Sequence, residues 1–364
     1  MTQPRRILDG ATYLITRRAL RRYCLFAPDP RITQLFVFAL AWCAQTFGVE
    51  VHAAILMSTH EHLIVTDIYG VLPMFLQMFH RLVALATKVV RKWEGAVWDH
   101  EPPSVVELVT PEAVIQETAY LIANPTAAGL VERACDWPGM TTLIEQLAGG
   151  VLEADRPTFF FAASNSQWGE RASVTLTLPR MLDGAYTPES FRAAVATEVE
   201  RLEREAHAKQ QERPERAADS EQREEEGDAE QRDDQLEARA KRREQLDVEQ
   251  RDEPAPMHRE QVDASPRKTR RAFAGPERCM RVSPYQRMKG YEEIRGRNPV
   301  LAAGRGQTAL RLEAIRVLRA FRAAYREALD RWRTGHRDVA FPAGTWMMQR
   351  LHAANVAHDL ATAA

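Results

Sequence analysis

The chain has 364 residues, 45% of them apolar and 27% charged, a balance that excludes a collagen-like, wholly disordered or disulfide-stapled protein. Its formal net charge of −1 conceals a polarised chain: residues 201–260 carry 13 Lys and Arg against 20 Asp and Glu, a net of −7, and residues 261–364 carry 20 against 9, a net of +11. The four cysteines, Cys24, Cys43, Cys135 and Cys279, form no C-x-x-C pair, and no run reaches the ~18 apolar residues that span a bilayer; a zinc ribbon, a disulfide framework, secretion and membrane insertion are therefore not expected, and a reducing cytoplasm is.

Residues 12–18 (TYLITRR) are β-branched and aromatic and predict a first strand. Pro28, Asp29 and Pro30 punctuate before a helical stretch over 32–47, where Leu35, Phe36, Phe38, Ala39, Trp42, Cys43 and Phe47 recur at three- and four-residue steps. Gly48 stands where a helix end favours positive φ. Strands are predicted over 49–57 and 63–65, with the polar tetrad Ser58, Thr59, His60, Glu61 as hairpin punctuation. A second helix is predicted from Leu72 to Trp93, closed by Gly95; its Arg81, Lys88, Arg91 and Lys92 lie towards the end where the helix dipole favours cations. After a short strand over 104–109, Pro111 and Glu112 open a third helix, expected to stop before Asn124-Pro125 because the residue preceding a proline is driven from helical ψ.

The order β-α-β-β-α-β-α predicts an α+β fold over residues 1–150: a ferredoxin-like antiparallel sheet with helices packed on one face, akin to the split βαβ arrangement. Residues 151–200 are an extension with no fold assigned. Apolar periodicity vanishes over 201–275, predicting a charged, disordered linker, because too little apolar area remains to offset chain entropy. Residues 276–364 read as a basic, mainly helical tail, with Leu310, Leu312, Ile315, Leu318, Phe321, Tyr325 and Leu329 in one stripe.

Two short segments carry chemistry. In His60-Glu61-His62 alternate residues of a strand point to one face, so both imidazoles can meet one divalent cation while Glu61 points away; two half-exposed turn histidines are the bland alternative. In Tyr120-Leu-Ile-Ala-Asn124-Pro125 a spacing of four sets phenol and carboxamide on one helical face, and the alternative is a half-buried core tyrosine followed by a C-capping asparagine. Together they make a Lewis-acid site beside a nucleophile. A phenol, with a pKa of about 10, needs a polarised phosphate to attack. Imidazole and amide-oxygen ligands with open positions suit Mg²⁺ or Mn²⁺ better than a closed zinc site.

Met57-Ser-Thr-His60-Glu-His62-Leu-Ile-Val, followed by Ala119-Tyr120-Leu-Ile-Ala-Asn124-Pro125-Thr-Ala-Ala-Gly129-Leu-Val, resembles the REP-associated tyrosine transposases, a branch of the single-tyrosine HUH transposases. Tyr13-Leu-Ile-Thr16-Arg17-Arg18 resembles that family's first strand, and the resemblance spans residues 5–145. It implies an HUH-type domain that cuts single-stranded DNA beside a hairpin through a 5′-phosphotyrosine, with Tyr120 as nucleophile, His60, His62 and Asn124 as metal ligands, and DNA transposition as the outcome. A homodimer is left open.

Two departures stand out: Glu61 replaces a residue that is usually bulky and apolar, and Thr59 replaces a frequent Asn. A buried carboxylate needs a partner, so Glu61 is expected to be exposed, paired with an Arg or near the metal. It motivates an alternative, a catalytically weakened hairpin-binding descendant. For DNA contact, Arg17, Arg18, Arg21 and Arg22 are candidates for phosphates, Trp93, Trp98 and His100 for unpaired bases, and Arg316, Arg319, Arg322 and Arg326 for a hairpin stem.

Overall fold

The computed structural model describes residues 4–211, 273–288 and 301–357. Strand β1 (Ala11–Arg18) is followed by helix α1 (Pro30–Phe47), which Asp29 caps by accepting a hydrogen bond from Arg31 N and which Gly48 ends at φ 65°. Strands β2 (Val49–Met57) and β3 (His60–Asp67) come next, then α2 (Leu72–Arg91), β4 (Ser104–Leu108) and α3 (Pro111–Ala127). The hairpin turn is thus only Ser58 and Thr59, and both His60 and Glu61 belong to β3. Lys92, at φ 50°, ends α2 before the predicted Gly95 is reached.

The main sheet has the order β2-β3-β1-β4, antiparallel throughout, extended by the two-residue strand β7 (Leu301–Ala302) parallel to β4. Helices cover both of its faces, which corrects the expectation of one. In β1 and β3 the residues Tyr13, Ile15, Leu63 and Val65 bury against α1 and α2, while Leu14 and Ile64 bury against α3 and helix α4 (188–211), which supplies Phe191, Val195 and Val199. Strands apolar on both sides need cover on both sides. Strands β5 (Val151–Asp155) and β6 (Arg171–Thr175) form a hairpin on the α1 side, where Gln34 and Gln45 of α1 donate to the carbonyls of Asp155 and Ser173.

A β-bulge between Val51 and Ala53 shifts the parity of β2, so that Ala54 and Leu56 face α1 and α2 while Ala53, Ile55 and Met57 face α3. His52 stands at the bulge. Its Nδ1–H donates to Thr177 O (2.8 Å), its Nε2 accepts from Thr66 Oγ1 (2.7 Å), and Thr66 accepts in turn from Thr12 Oγ1 (2.8 Å).

Helix α3 continues through Pro125 to Ala127, one turn beyond the expected stop. Ala128 N still bonds to Asn124 O and Leu130 N to Pro125 O, so the proline removes a single donor while its buried ring packs. Asn124 is consequently an interior helical residue rather than a cap.

The described residues up to Arg204 and from Ala274 onward form one compact unit; Glu205–Phe273 form another. Of the expected 201–275 linker, residues 201–211 are helical, and in the second unit the His207 and Phe273 rings lie 4.9 Å apart; 212–272 fall outside the described residues. The tail contains α5 (Pro276–Met280), α6 (Thr308–Arg333) and α7 (Trp346–His352). Leu318 and Phe321 of α6 pack by Val109, whereas Leu310 and Leu312 of the predicted stripe are exposed. Among the described residues no helix is long and apolar enough to cross a membrane.

Candidate active site

Pairing of β1 with β3 sets Thr16 opposite His62, Arg17 opposite Glu61 and Arg18 opposite His60, so even-numbered side chains share the α3 face and odd-numbered ones the α1/α2 face. On the α3 face the His60 and His62 rings stand 4.8 Å apart at right angles, and the Tyr120 ring is 5.8 Å from that of His62. Asn124, one helical turn from Tyr120, is where the groups meet. Its carboxamide nitrogen is 3.4 Å from His62 Nε2, and the same side chain is near enough to His60 and Tyr120 to act on the titration of both.

The far nitrogen of each ring faces a hydroxyl: Thr16 Oγ1 is 2.8 Å from His62 Nδ1, and Thr59 Oγ1 is 3.1 Å from His60 Nδ1. With Nδ1–H donated to those oxygens, each Nε2 keeps its lone pair. Burial, aided by Arg18 and Arg22, pushes the His60 pKa down to about 4; burial, then His60 and Arg18, hold His62 well below the ordinary imidazole range. Both rings are neutral near pH 7, the state a metal requires.

Two imidazole nitrogens and one amide oxygen, once the Asn124 carboxamide turns its oxygen inward, fit a divalent cation with several open positions. Among the described residues no group of three or more His, Cys, Asp or Glu is placed to hold a metal. Tyr120 is 42% exposed at the rim. Partial burial and then Glu117 raise its pKa, opposed by the Asn124 side chain and by Arg18, and the phenol is protonated near neutrality.

The four predicted arginines do not act together. Arg18 is exposed on the histidine face, and its charge is felt by His60, His62 and Tyr120; Arg22 acts on His60, with Arg21 exposed beside it. Arg17 points through the sheet, where its Nη1 donates to His80 Nδ1 (2.8 Å) and its guanidinium lies 5.1 Å from the centre of the Trp98 ring. Odd parity takes it from the phosphate role.

Glu61 shares that side. It is fully buried, and His80 Nε2–H of α2 donates to its Oε1 at 2.5 Å. Arg17 can only donate, so His80 accepts at Nδ1 and is neutral, and burial holds its pKa below the usual value against the pull of Glu61. Arg17, His80 and Glu61 form a chain with one positive and one negative end. Sequence reasoning missed His80, although a lone polar residue among the buried Leu76, Phe79, Leu82 and Val83 of α2 signals a buried partner. Trp98, 8% exposed with its indole N–H bonded to His80 O, is core rather than a base-stacking ring; Trp93 is half-buried and His100 exposed.

No protein-family model matches the chain, and no curated protein matches it. Among solved structures it is similar to a REP-associated tyrosine transposase bound to a REP hairpin, at 19% identity and a TM-score of 0.35, over 40% of this chain and 85% of that one. It is similar also to a provisionally named transposase from Deinococcus radiodurans R1, at 19% identity and a TM-score of 0.24, over 30% of this chain and 86% of that one.

Proposed function

We propose that the chain is a transposase-type enzyme, a metal-dependent endonuclease and strand transferase for single-stranded DNA with Tyr120 as nucleophile. The observation that carries this reading is the convergence of the His60, His62 and Tyr120 rings, 4.8 Å and 5.8 Å apart in turn, with the Asn124 carboxamide 3.4 Å from His62 Nε2. The element order β1-α1-β2-β3-α2-β4 with strand order β2-β3-β1-β4 agrees with the split βαβ arrangement and supports an HUH-type domain.

His60, His62 and Asn124 would hold Mg²⁺ or Mn²⁺, which when bound supplies the positive charge that polarises a scissile phosphate and steadies the charge developing on it. Asn124, one helical turn from Tyr120, would orient the phenol, and the Arg18 charge favours its deprotonation. The Tyr120 oxygen attacks phosphorus and loses its proton, the bond from phosphorus to the 3′ oxygen breaks, and that oxygen takes up a proton. A 5′-phosphotyrosine and a free 3′ hydroxyl result, and attack by another 3′ hydroxyl reverses the step.

The weakened-enzyme alternative rested on Glu61. With Glu61 held by His80 on the face opposite the metal ligands, that ground is gone. The test is a hairpin oligonucleotide with single-stranded flanks, incubated with Mn²⁺ and run on a denaturing gel. A covalent adduct is expected from the parent chain, none from Tyr120→Phe, and at least about a hundredfold less from His60→Ala, in the range of lost metal ligation. An adduct that persists in Tyr120→Phe would overturn the nucleophile; tight hairpin binding without any adduct would leave a binding protein.

A further inference from the structure

We infer that residues 283–288 complete a platform for unpaired DNA bases beside the candidate active site, built from Tyr23, Trp93 and Tyr285 with Arg287 among them. The inference rests on the strand-cutting reading for what the bound strand is positioned to meet, and on the surface alone for the binding.

The segment is strapped to the turn that follows β1. Gln286 O accepts from Cys24 N (2.9 Å), Met288 N donates to Arg22 O (3.2 Å), and Arg287 Nε donates to Arg21 O (3.3 Å). The turn is strained: Arg21 and Arg22 both have positive φ, 46° and 56°, a left-handed pair that side-chain-bearing residues adopt only when their surroundings hold them. Its other side is tied to the β2–β3 connection, with Ala19 N donating to Thr59 O and Phe26 N to Ser58 O, immediately before His60. The tail therefore braces the backbone that leads to the metal ligands, and the Arg22 charge reaches His60.

Three rings follow one another there. Tyr23 and Trp93 lie 5.0 Å apart and Trp93 and Tyr285 5.7 Å, at tilts of 59° and 38°. The Tyr285 hydroxyl donates to Arg91 O (2.8 Å), which fixes the ring while 55% of the residue stays exposed. The Arg287 guanidinium sits 5.6 Å from the centre of the Tyr23 ring. Arg21, Lys92 and Arg287 are exposed and Arg22 is half-buried, against the single exposed carboxylate of Glu94 in the same stretch. Cations interleaved with one exposed ring, Tyr285, and the half-buried rings of Tyr23 and Trp93 suit a polyanion whose flat faces are free, which is a single strand; a duplex hides those faces and offers phosphates alone.

The test uses the full chain without metal and two fluorescent probes, a short oligo(dT) and a blunt duplex. Tyr285→Ala is expected to weaken oligo(dT) binding about tenfold, within the range of one lost base stack, and to leave duplex binding unchanged; Arg287→Ala, which removes a cation beside the rings as well as a phosphate contact, should weaken oligo(dT) binding about tenfold and duplex binding by less. Tyr285→Phe, which keeps the ring, should bind as the parent does. Arg287→Ala should also flatten the slope of log affinity against log salt by about 0.7, the single-strand value per phosphate contact, and Tyr285→Ala should not. Unchanged oligo(dT) affinity in both alanine variants, or an equal loss on the duplex, would overturn the platform. An adduct formed by the parent while these variants bind normally defeats the platform and spares the Tyr120 chemistry; Tyr285-dependent binding with no adduct does the reverse.

Discussion

Replacing Glu61 by leucine removes the negative end of the buried chain that runs through His80 to Arg17. Two losses follow. The His80 Nε2–H, in a residue 2% exposed, loses its acceptor, which costs about 1–3 kcal/mol for a buried donor left unsatisfied. The Arg17 guanidinium, stacked on Trp98 and only partly open to water, loses its counter-charge; removing one partner of a fully buried pair costs about 3–5 kcal/mol, and partial access to solvent lowers that figure. Because the two losses share one chain they do not simply add, and a total of about 3 kcal/mol is expected for Glu61→Leu. Glu61→Gln keeps an acceptor for His80 and should cost about half as much. The triple variant Arg17→Met, Glu61→Leu, His80→Phe removes every member and should return to within about 1 kcal/mol of the parent, as apolar replacements of buried ion pairs do. Urea unfolding at pH 7 followed by circular dichroism measures all three. If Glu61→Leu falls within about 0.5 kcal/mol of the parent, or the triple variant is as unstable as its single changes summed, the three groups are not energetically joined and the reasoning fails.

Burial lowers the His52 pKa from 6.5 to about 4, so below pH 6.5 the unfolded chain binds a proton that the folded chain refuses. Stability should therefore fall as pH drops from about 6.5 towards 4 and level off below, by about 3 kcal/mol from this group; His52→Gln should flatten the fall by up to about 1.4 kcal/mol per pH unit in urea titrations, and an unaltered slope would contradict it. The adjacent arginines should part company: Arg18→Ala should weaken oligonucleotide binding and lower its salt slope by about 0.7 while leaving the thermal midpoint in place. Arg17→Ala should lower the midpoint and leave binding by the folded protein intact, and matching behaviour of the two would refute their assignment to opposite faces.

The strands and helices around the site were legible because each rests on local pattern: β-branched runs, three- and four-residue apolar steps, and Gly48 after α1. The partnership of Tyr120 with Asn124 follows from helical spacing, and that of His60 with His62 from strand alternation. What stayed hidden depended on register. Strand alternation alone separates Arg17 from Arg18, but which face each would meet depends on β1 pairing with β3 so that Arg17 opposes Glu61. His80 completes the pair from a helix further along the chain, which no local pattern reports. The stop expected before Asn124-Pro125 failed because tertiary burial outweighs the local preference of a pre-proline residue. The return of residues 283–288 to the turn after β1 is long-range, and only their charge and aromatic content could be read.

The imidazole and two hydroxyls that link β2, β3 and β1 through His52, Thr66 and Thr12 act as a key cut for one lock. Slide any of the three strands by a residue and a ring or a hydroxyl is stranded in a dry interior, at about 1–3 kcal/mol for each orphaned group. The same slip would turn His60 and His62 to the wrong side, since strand side chains alternate. A seam remote from any chemistry thereby decides whether the pair of imidazoles ever confronts the phenol, and fidelity of assembly and competence for reaction become one selection.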